Sequence, residues 1–166
     1  MASGLALKSE ELQQRVKSAF ALATYPGDDQ LVVVTGGAHL ECEQIRAAFQ
    51  GKRWQHLPLK FLRYHASSLS FLTPEAFRYY LPAFLLAALQ SYKKADMVPF
   101  SLVFHLTPPA EGDPERSRFD QVVTGLTQEQ KVVIAIFLQY MLEEHAGDFP
   151  LGDVQTALER YWGAYL

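Results

Sequence analysis

Apolar residues recur at helical spacing over most of this chain. Leu12, Val16, Ala19, Phe20 and Ala23 mark one face of a first helix. Ser9, followed by Glu10 and Glu11, supplies a cap and acids for its positive end. Tyr25-Pro26-Gly27-Asp28-Asp29 closes that helix in a turn. A second helix is predicted over about 39–50, with Leu40, Ile45, Ala48 and Phe49 inward and Gly51 placed to stop it. Trp54 and Leu57-Pro58 lead into a third, with Pro58 near the first turn, where a missing N–H costs nothing. Ser67-Ser68 reads as the turn into the next helix.

Thr73-Pro74-Glu75-Ala76 is the strongest local signal. Thr caps, Pro fits the first turn and Glu faces the positive helix end. The helix it opens is predicted to reach about Tyr92, burying Phe77, Leu81, Phe84, Leu85 and Ala88, with a kink at Pro82. Thr127-Gln128-Glu129-Gln130 is a capping box. It opens a helix to about His145 with Val133, Ile136, Phe137, Tyr140 and Met141 inward, broken at Gly147-Asp148-Phe149-Pro150. A last helix over about 150–165 offers Val154, Ala157, Leu158, Tyr161, Trp162 and Tyr165.

Two stretches read as extended. Leu31–Thr35 is β-branched and cut off by Gly36-Gly37, and Phe100–Leu106 is a candidate partner for it. Thr107–Arg118, with three prolines, a glycine and mixed charges, reads as a flexible loop. The expected fold is therefore mainly α. It is a single irregular bundle of five or six helices over 1–166, with a loop at about 107–118. One short two-stranded element, 31–35 against 100–106, remains open to it.

The length of 166 residues fits one domain with a real core. Aromatic residues at 13 % argue against disorder. The one cysteine, Cys42, excludes an internal disulfide framework and any cysteine-cluster metal site. No basic start followed by a sustained apolar stretch is present, and no apolar run approaches the roughly 20 residues of a membrane span. A cytoplasmic protein is the expectation. The formal charge of −3 is unevenly laid out: −3 over residues 1–43, +6 over 44–98 and −6 over 99–166. No carboxylate occurs between Gln44 and Pro74, where Arg46, Lys52, Arg53, Lys60 and Arg63 all lie. Acidic ends packing beside this basic middle would neutralise it; otherwise it marks a face for an anionic partner. The total charge argues against a nucleic-acid partner.

Catalytic motifs do not emerge. His39-Leu40-Glu41 has the spacing of zinc nucleobase deaminases, but the Pro-Cys-x-x-Cys that their site needs downstream cannot be built with one cysteine. His39, His56, His65, His105 and His145 are scattered, and Gly36-Gly37 is too little for a phosphate loop. No metal site and no cofactor are expected. Cys42, beside Ile45 and Phe49, reads as a packed small hydrophobe. Glu41 and Glu43 do not face each other on a helix and read as solvated. Glu75 and Arg78 can pair at i,i+3, and Arg78 with Trp54 and Tyr79 could receive an anionic or aromatic group.

The run Leu69-Ser-Phe-Leu-Thr-Pro-Glu-Ala-Phe-Arg-Tyr-Tyr-Leu-Pro-Ala-Phe-Leu85 resembles an uncharacterised bacterial domain family. Phe49-Gln-Gly-Lys-Arg-Trp54 and the stretch from Phe119 through Leu126-Thr-x-x-Gln130 to Phe137-Leu138 fit it too. The resemblance implies a small, soluble, mostly helical bacterial protein and no particular reaction. With no catalytic motif and many aromatics, the leading expectation is a non-enzymatic protein-binding role of the adaptor or immunity type. Its binding residues would be Arg53, Trp54, Arg78 and Tyr79, of the types that make interface hot spots. The alternative is a small-ligand-binding protein or enzyme with a cleft near Glu75, Arg78 and Tyr79. A homo-oligomer stays open, because the apolar side chains of the last helix (Val154, Leu158, Tyr161, Trp162, Tyr165) are a surplus for one core.

Overall fold

The computed structural model describes residues 4–34 and 40–166. Eight α-helices lie among them: α1 Gly4–Ala19, α2 Leu40–Phe49, α3 Leu59–Tyr64, α4 Pro74–Gln90, α5 Val98–Leu106, α6 Arg116–Thr124, α7 Gln128–His145 and α8 Asp153–Arg160. Short 3₁₀ turns join several of them. The fold is mainly helical, with more helices than the five or six expected. No helix among the described residues is long and apolar enough to cross a membrane.

The chain is organised around α4. Its sequence is apolar on nearly every side, as a helix at the centre of a core must be. Phe77, Tyr80, Leu81, Phe84 and Leu85 are 0–2 % exposed, and α1, α3, α5 and α6 pack around them. The Thr73 hydroxyl accepts from Ala76 N–H at 3.0 Å, the predicted cap, and the helix runs on through a buried Pro82. Tyr80 anchors the end of α2, its hydroxyl donating to the carbonyls of Phe49 (3.0 Å) and Lys52 (2.8 Å). Gly51, at φ +72°, makes the reversal that brings those carbonyls round. On α2, Ile45 and Phe49 are buried as expected, but Leu40 is exposed.

A second layer is built on α7, which packs on α1, on α8 and on the terminal 3₁₀ turn. The Thr127–Gln130 capping box forms reciprocally, at 3.1 and 3.0 Å. The Gln130 side chain also donates to the Ala19 carbonyl at 3.1 Å, fastening α1 to the start of α7. On the last helix, Val154, Ala157, Leu158 and Trp162 fill this core. Tyr161 and Tyr165 are half-buried, with the Lys131 ammonium over both rings. The apolar surplus of that helix is thus engaged within the chain.

Three expectations need correction. Residues 100–106 are helical, not extended. Pro99 in the first turn of α5 favours the helix, which buries Leu102, Val103 and Leu106 in the core. The extended stretch near Val32 instead pairs with the residues ahead of α4. Val32 bridges Leu72 antiparallel, and Val33 N–H and Thr73 N–H donate to Phe71 and Leu31. Ser9 is no cap. It lies buried inside α1, where its hydroxyl donates to the Leu89 carbonyl on α4. Of the predicted loop, 116–118 already belong to α6. Gly36-Gly37 and His39 lie outside the described residues.

Candidate functional site

The four residues singled out as a binding group do not converge. Arg53 is exposed, whereas Trp54 and Tyr79 are each only 4 % exposed. The Trp54 indole N–H is buried and has no hydrogen-bond partner among the described residues. Tyr79 packs edge-on against Tyr25 and Tyr80. Arg78 points elsewhere, to α6, where its Nη1 donates to the carbonyls of Gln121 (2.8 Å) and Val122 (3.3 Å). It makes no ion pair with Glu75, which is exposed. A guanidinium held over the last carbonyls of a helix meets the negative end of the dipole, a better partner than a solvated carboxylate. Burial pushes the Arg78 pKa down and the Glu75 charge partly offsets this. Of the α2 candidates, Cys42 is buried, Glu43 pairs with Arg46 at 3.2 Å and Glu41 is exposed.

A cleft opens at another place, between α5, α6 and the segment leading into α8. It encloses about 660 Å³. Thr107-Pro-Pro-Ala-Glu-Gly-Asp-Pro cannot continue α5, so the chain swings out and returns as α6. The swing is tied down at its base. Arg160 Nη1 donates to the Pro108 carbonyl and Arg116 Nη1 to the Pro109 carbonyl, both at 2.9 Å. Trp162 Nε1 donates to the Leu106 carbonyl at 2.6 Å. Helical spacing of Phe100 and Phe104 on α5 then aims both at the gap. Phe77 of α4, Phe119 of α6 and Phe149 complete an aromatic wall. Phe104 is 73 % exposed at this wall.

His105 is the polar group of the wall. Its ring stands 5.2 Å from Phe104 and 5.9 Å from Phe77, and neither nitrogen makes a hydrogen bond among the described residues. Burial, then the nearby Arg118 cation, push its pKa down to about 4, so the imidazole is neutral at physiological pH. Arg118 is itself half-buried, and its Nη2 donates to the Leu69 carbonyl at 3.1 Å. Around the cleft, Asp113, Glu115, Asp148 and Asp153 face only two arginines, Arg118 and Arg160, whose guanidinium groups already serve carbonyls. Asp148 accepts from the Tyr92 hydroxyl at 2.8 Å. Glu115 and Asp153 make no ion pair among the described residues.

Reading from sequence missed this cleft because it missed two of its walls. A signal existed: Pro99 in α5 repeats the placement of Pro74 in α4, and Phe119, Val122 and Val123 in α6 recur at i, i+3, i+4. No group of His, Cys, Asp and Glu among the described residues is arranged to hold a metal.

Set beside known proteins, the chain belongs to a family of unknown function, DUF6714, whose model matches residues 8–166. No curated protein and no solved structure matches it.

Proposed function

We propose that this protein is a binding protein whose α5–α6 cleft takes a small molecule with an apolar body and a cationic amine. The observation that carries this is the cleft itself: an aromatic wall of phenylalanines with more carboxylates than arginines around it. Its volume is that of an ordinary small-ligand site. The aromatic faces favour an apolar or aromatic body, and ring faces also attract ammonium groups. Neutral His105 offers a hydrogen bond without adding positive charge. Arg118 and Arg160 are held by backbone carbonyls, so they do not reach out as an anion clamp. None of Glu75, Arg78 and Tyr79, near which a cleft was expected, lines this one.

Three matched probes test this: 4-phenylbutylamine, 4-phenylbutanol and 4-phenylbutanoate, titrated while amide chemical shifts are followed. The amine should bind tightest and the carboxylate weakest, with shifts centred on residues 100–107 and 148–153. Phe104→Ser, at an exposed position, should weaken binding several-fold without loss of fold. Failure of all three probes to saturate would remove the ligand-binding reading. Equal binding of all three would keep the cleft and remove the preference for an amine.

A further inference from the structure

A second feature lies away from the cleft and does not depend on it. Apart from Arg46, which pairs with Glu43, the basic middle of the chain is little neutralised by the acidic ends. Two of the three carboxylates of α7 are engaged with α1: Glu129 with Arg15 at 2.9 Å and Glu143 with Lys8 at 3.6 Å. Asp120 pairs with Arg116 on its own helix. Among the described residues, Lys52, Arg53 and Lys60 have no acidic partner, and all three are exposed. Arg63 meets only Asp96, at 3.9 Å and with both side chains at least half exposed. Such a pair contributes little.

Two of these cations, Lys60 and Arg63, border a depression of about 560 Å³. Lys60, Arg63 and the rings of Phe61, Tyr64 and His65 line it. The Lys52 ammonium sits 5.8 Å from the centre of the Phe61 ring, which joins the turn after α2 to the same rim. Tyr64 is 81 % exposed, an unusual position for a large aromatic side chain in the middle of a cationic face. Its ring stands edge-on to His65 at 4.9 Å, so it is propped rather than free to fold away. His65 in turn is held by a 3.0 Å contact between its Nδ1 and the Ser68 hydroxyl. Pro58 at the N-terminus of α3 fixes how the helix, and with it the patch, enters the surface.

We propose that this face, Lys52, Lys60, Arg63 and Tyr64, docks an acidic segment of a partner protein. Carboxylates of that segment meet Lys60 and Arg63, and an apolar side chain enters between Phe61 and Tyr64. Charge complementarity sets the sign of the partner, and the depression sets its need for an apolar anchor. A protein segment fits better than a nucleic acid. DNA carries a phosphate charge about every 1.7 Å and gains affinity by touching many cations. Here only two cations, Lys60 and Arg63, line the depression, Asp96 lies on the same rim, and the chain as a whole carries −3. A short acidic peptide with one apolar anchor uses a depression of this extent, whereas a long polyanion needs many cations and a net positive footprint.

The probes are an acetylated Glu-Glu-Phe-Glu-Glu amide, its Glu-Glu-Ser-Glu-Glu and Lys-Lys-Phe-Lys-Lys counterparts, and a twelve-base single-stranded DNA. Binding to the full chain is read from amide shifts at low and at moderate salt. The Phe-containing acidic peptide should shift residues 58–65 and weaken several-fold as salt rises. Lys60→Glu with Arg63→Glu should cost at least about tenfold in affinity. Tyr64→Ser should weaken the Phe peptide but leave the Ser peptide unchanged. All three substitutions lie on exposed side chains, and an unchanged far-UV spectrum confirms that the variants fold. The proposal is overturned if the acidic peptides leave residues 58–65 unshifted, if the lysine peptide binds equally, or if the DNA binds there more tightly.

Discussion

Gly125, at the end of α6, lies directly under the Arg78 guanidinium, and this contact makes a sharp prediction. A Cβ built on Gly125 would stand 2.2 Å from Arg78 Cζ, 2.4 Å from Nε and 2.6 Å from Nη1. The backbone there is ordinary, φ −86°, so alanine brings no conformational strain of its own. The whole cost of Gly125→Ala is the displacement of one side chain. Arg78 would have to swing out and give up its bonds to Gln121 and Val122. A hydrogen bond from a charged donor contributes about 1.5–3 kcal/mol. One nitrogen shared between two carbonyls at a half-buried site should contribute about 2 kcal/mol. Alanine returns about 0.5 kcal/mol by restricting the unfolded chain. Gly125→Ala should therefore destabilise by about 1.5 kcal/mol and Arg78→Ala by about 2 kcal/mol. The double variant should be no less stable than Arg78→Ala alone, because nothing is left to displace. Urea unfolding followed by the fluorescence of the buried Trp54 and Trp162 measures all three. Costs that simply add to within about 0.5 kcal/mol would refute the reasoning.

Acid should weaken the fold through His105. Its pKa is about 4 in the folded chain against 6.5 for the free side chain, so between those values the unfolded state holds more protons. The stability that His105 contributes is complete above pH 6.5 and falls away as the pH drops towards 4, by about 3 kcal/mol at most. His105→Leu should flatten the dependence of Tm on pH across that window, and an unchanged slope would show that His105 does not titrate there. Thr127→Ala breaks the capping box and should cost about 1 kcal/mol, a fall in Tm of about 2–4 °C. Gln130→Ala should cost more, since it also releases α1 at Ala19; a smaller drop in Tm than for Thr127→Ala would contradict the geometry.

How far the sequence was legible follows the range of the forces involved. The caps at Thr73 and Thr127 are set by neighbours three residues away, and both stand as read. Ser9 obeyed the same local rule and broke it, because a carbonyl 80 residues on claims its hydroxyl. Phe-Ser-Leu-Val-Phe-His-Leu fits either a strand or a helix by pattern, and packing against α4 and α8 decides for the helix. Trp54 and Tyr79 have the side chains of an interface hot spot, but the same bulk fills a core, and composition does not separate the two. The cleft draws its walls from α4, α5, α6 and residue 149, so no local window could contain it. The basic middle was plain in the sequence. That Glu129 and Glu143 turn to α1 and leave Lys52 and Lys60 without an acidic partner among the described residues could only be seen in three dimensions.

The clasp between α1 and α7 has a consequence for how the chain is made. Its two halves meet across 111 residues, where Gln130 reaches the end of α1 at Ala19. At about 5–20 residues per second, a ribosome needs roughly 5–20 seconds to deliver the second half after the first. Through that interval α1 can pack on α4 once that helix has emerged, but its α7-facing side stays wet. α1 is thus made well before α7 and locked only once α7 has arrived. Its apolar stripe is the surface a chaperone, or a neighbouring nascent chain, would meet during synthesis.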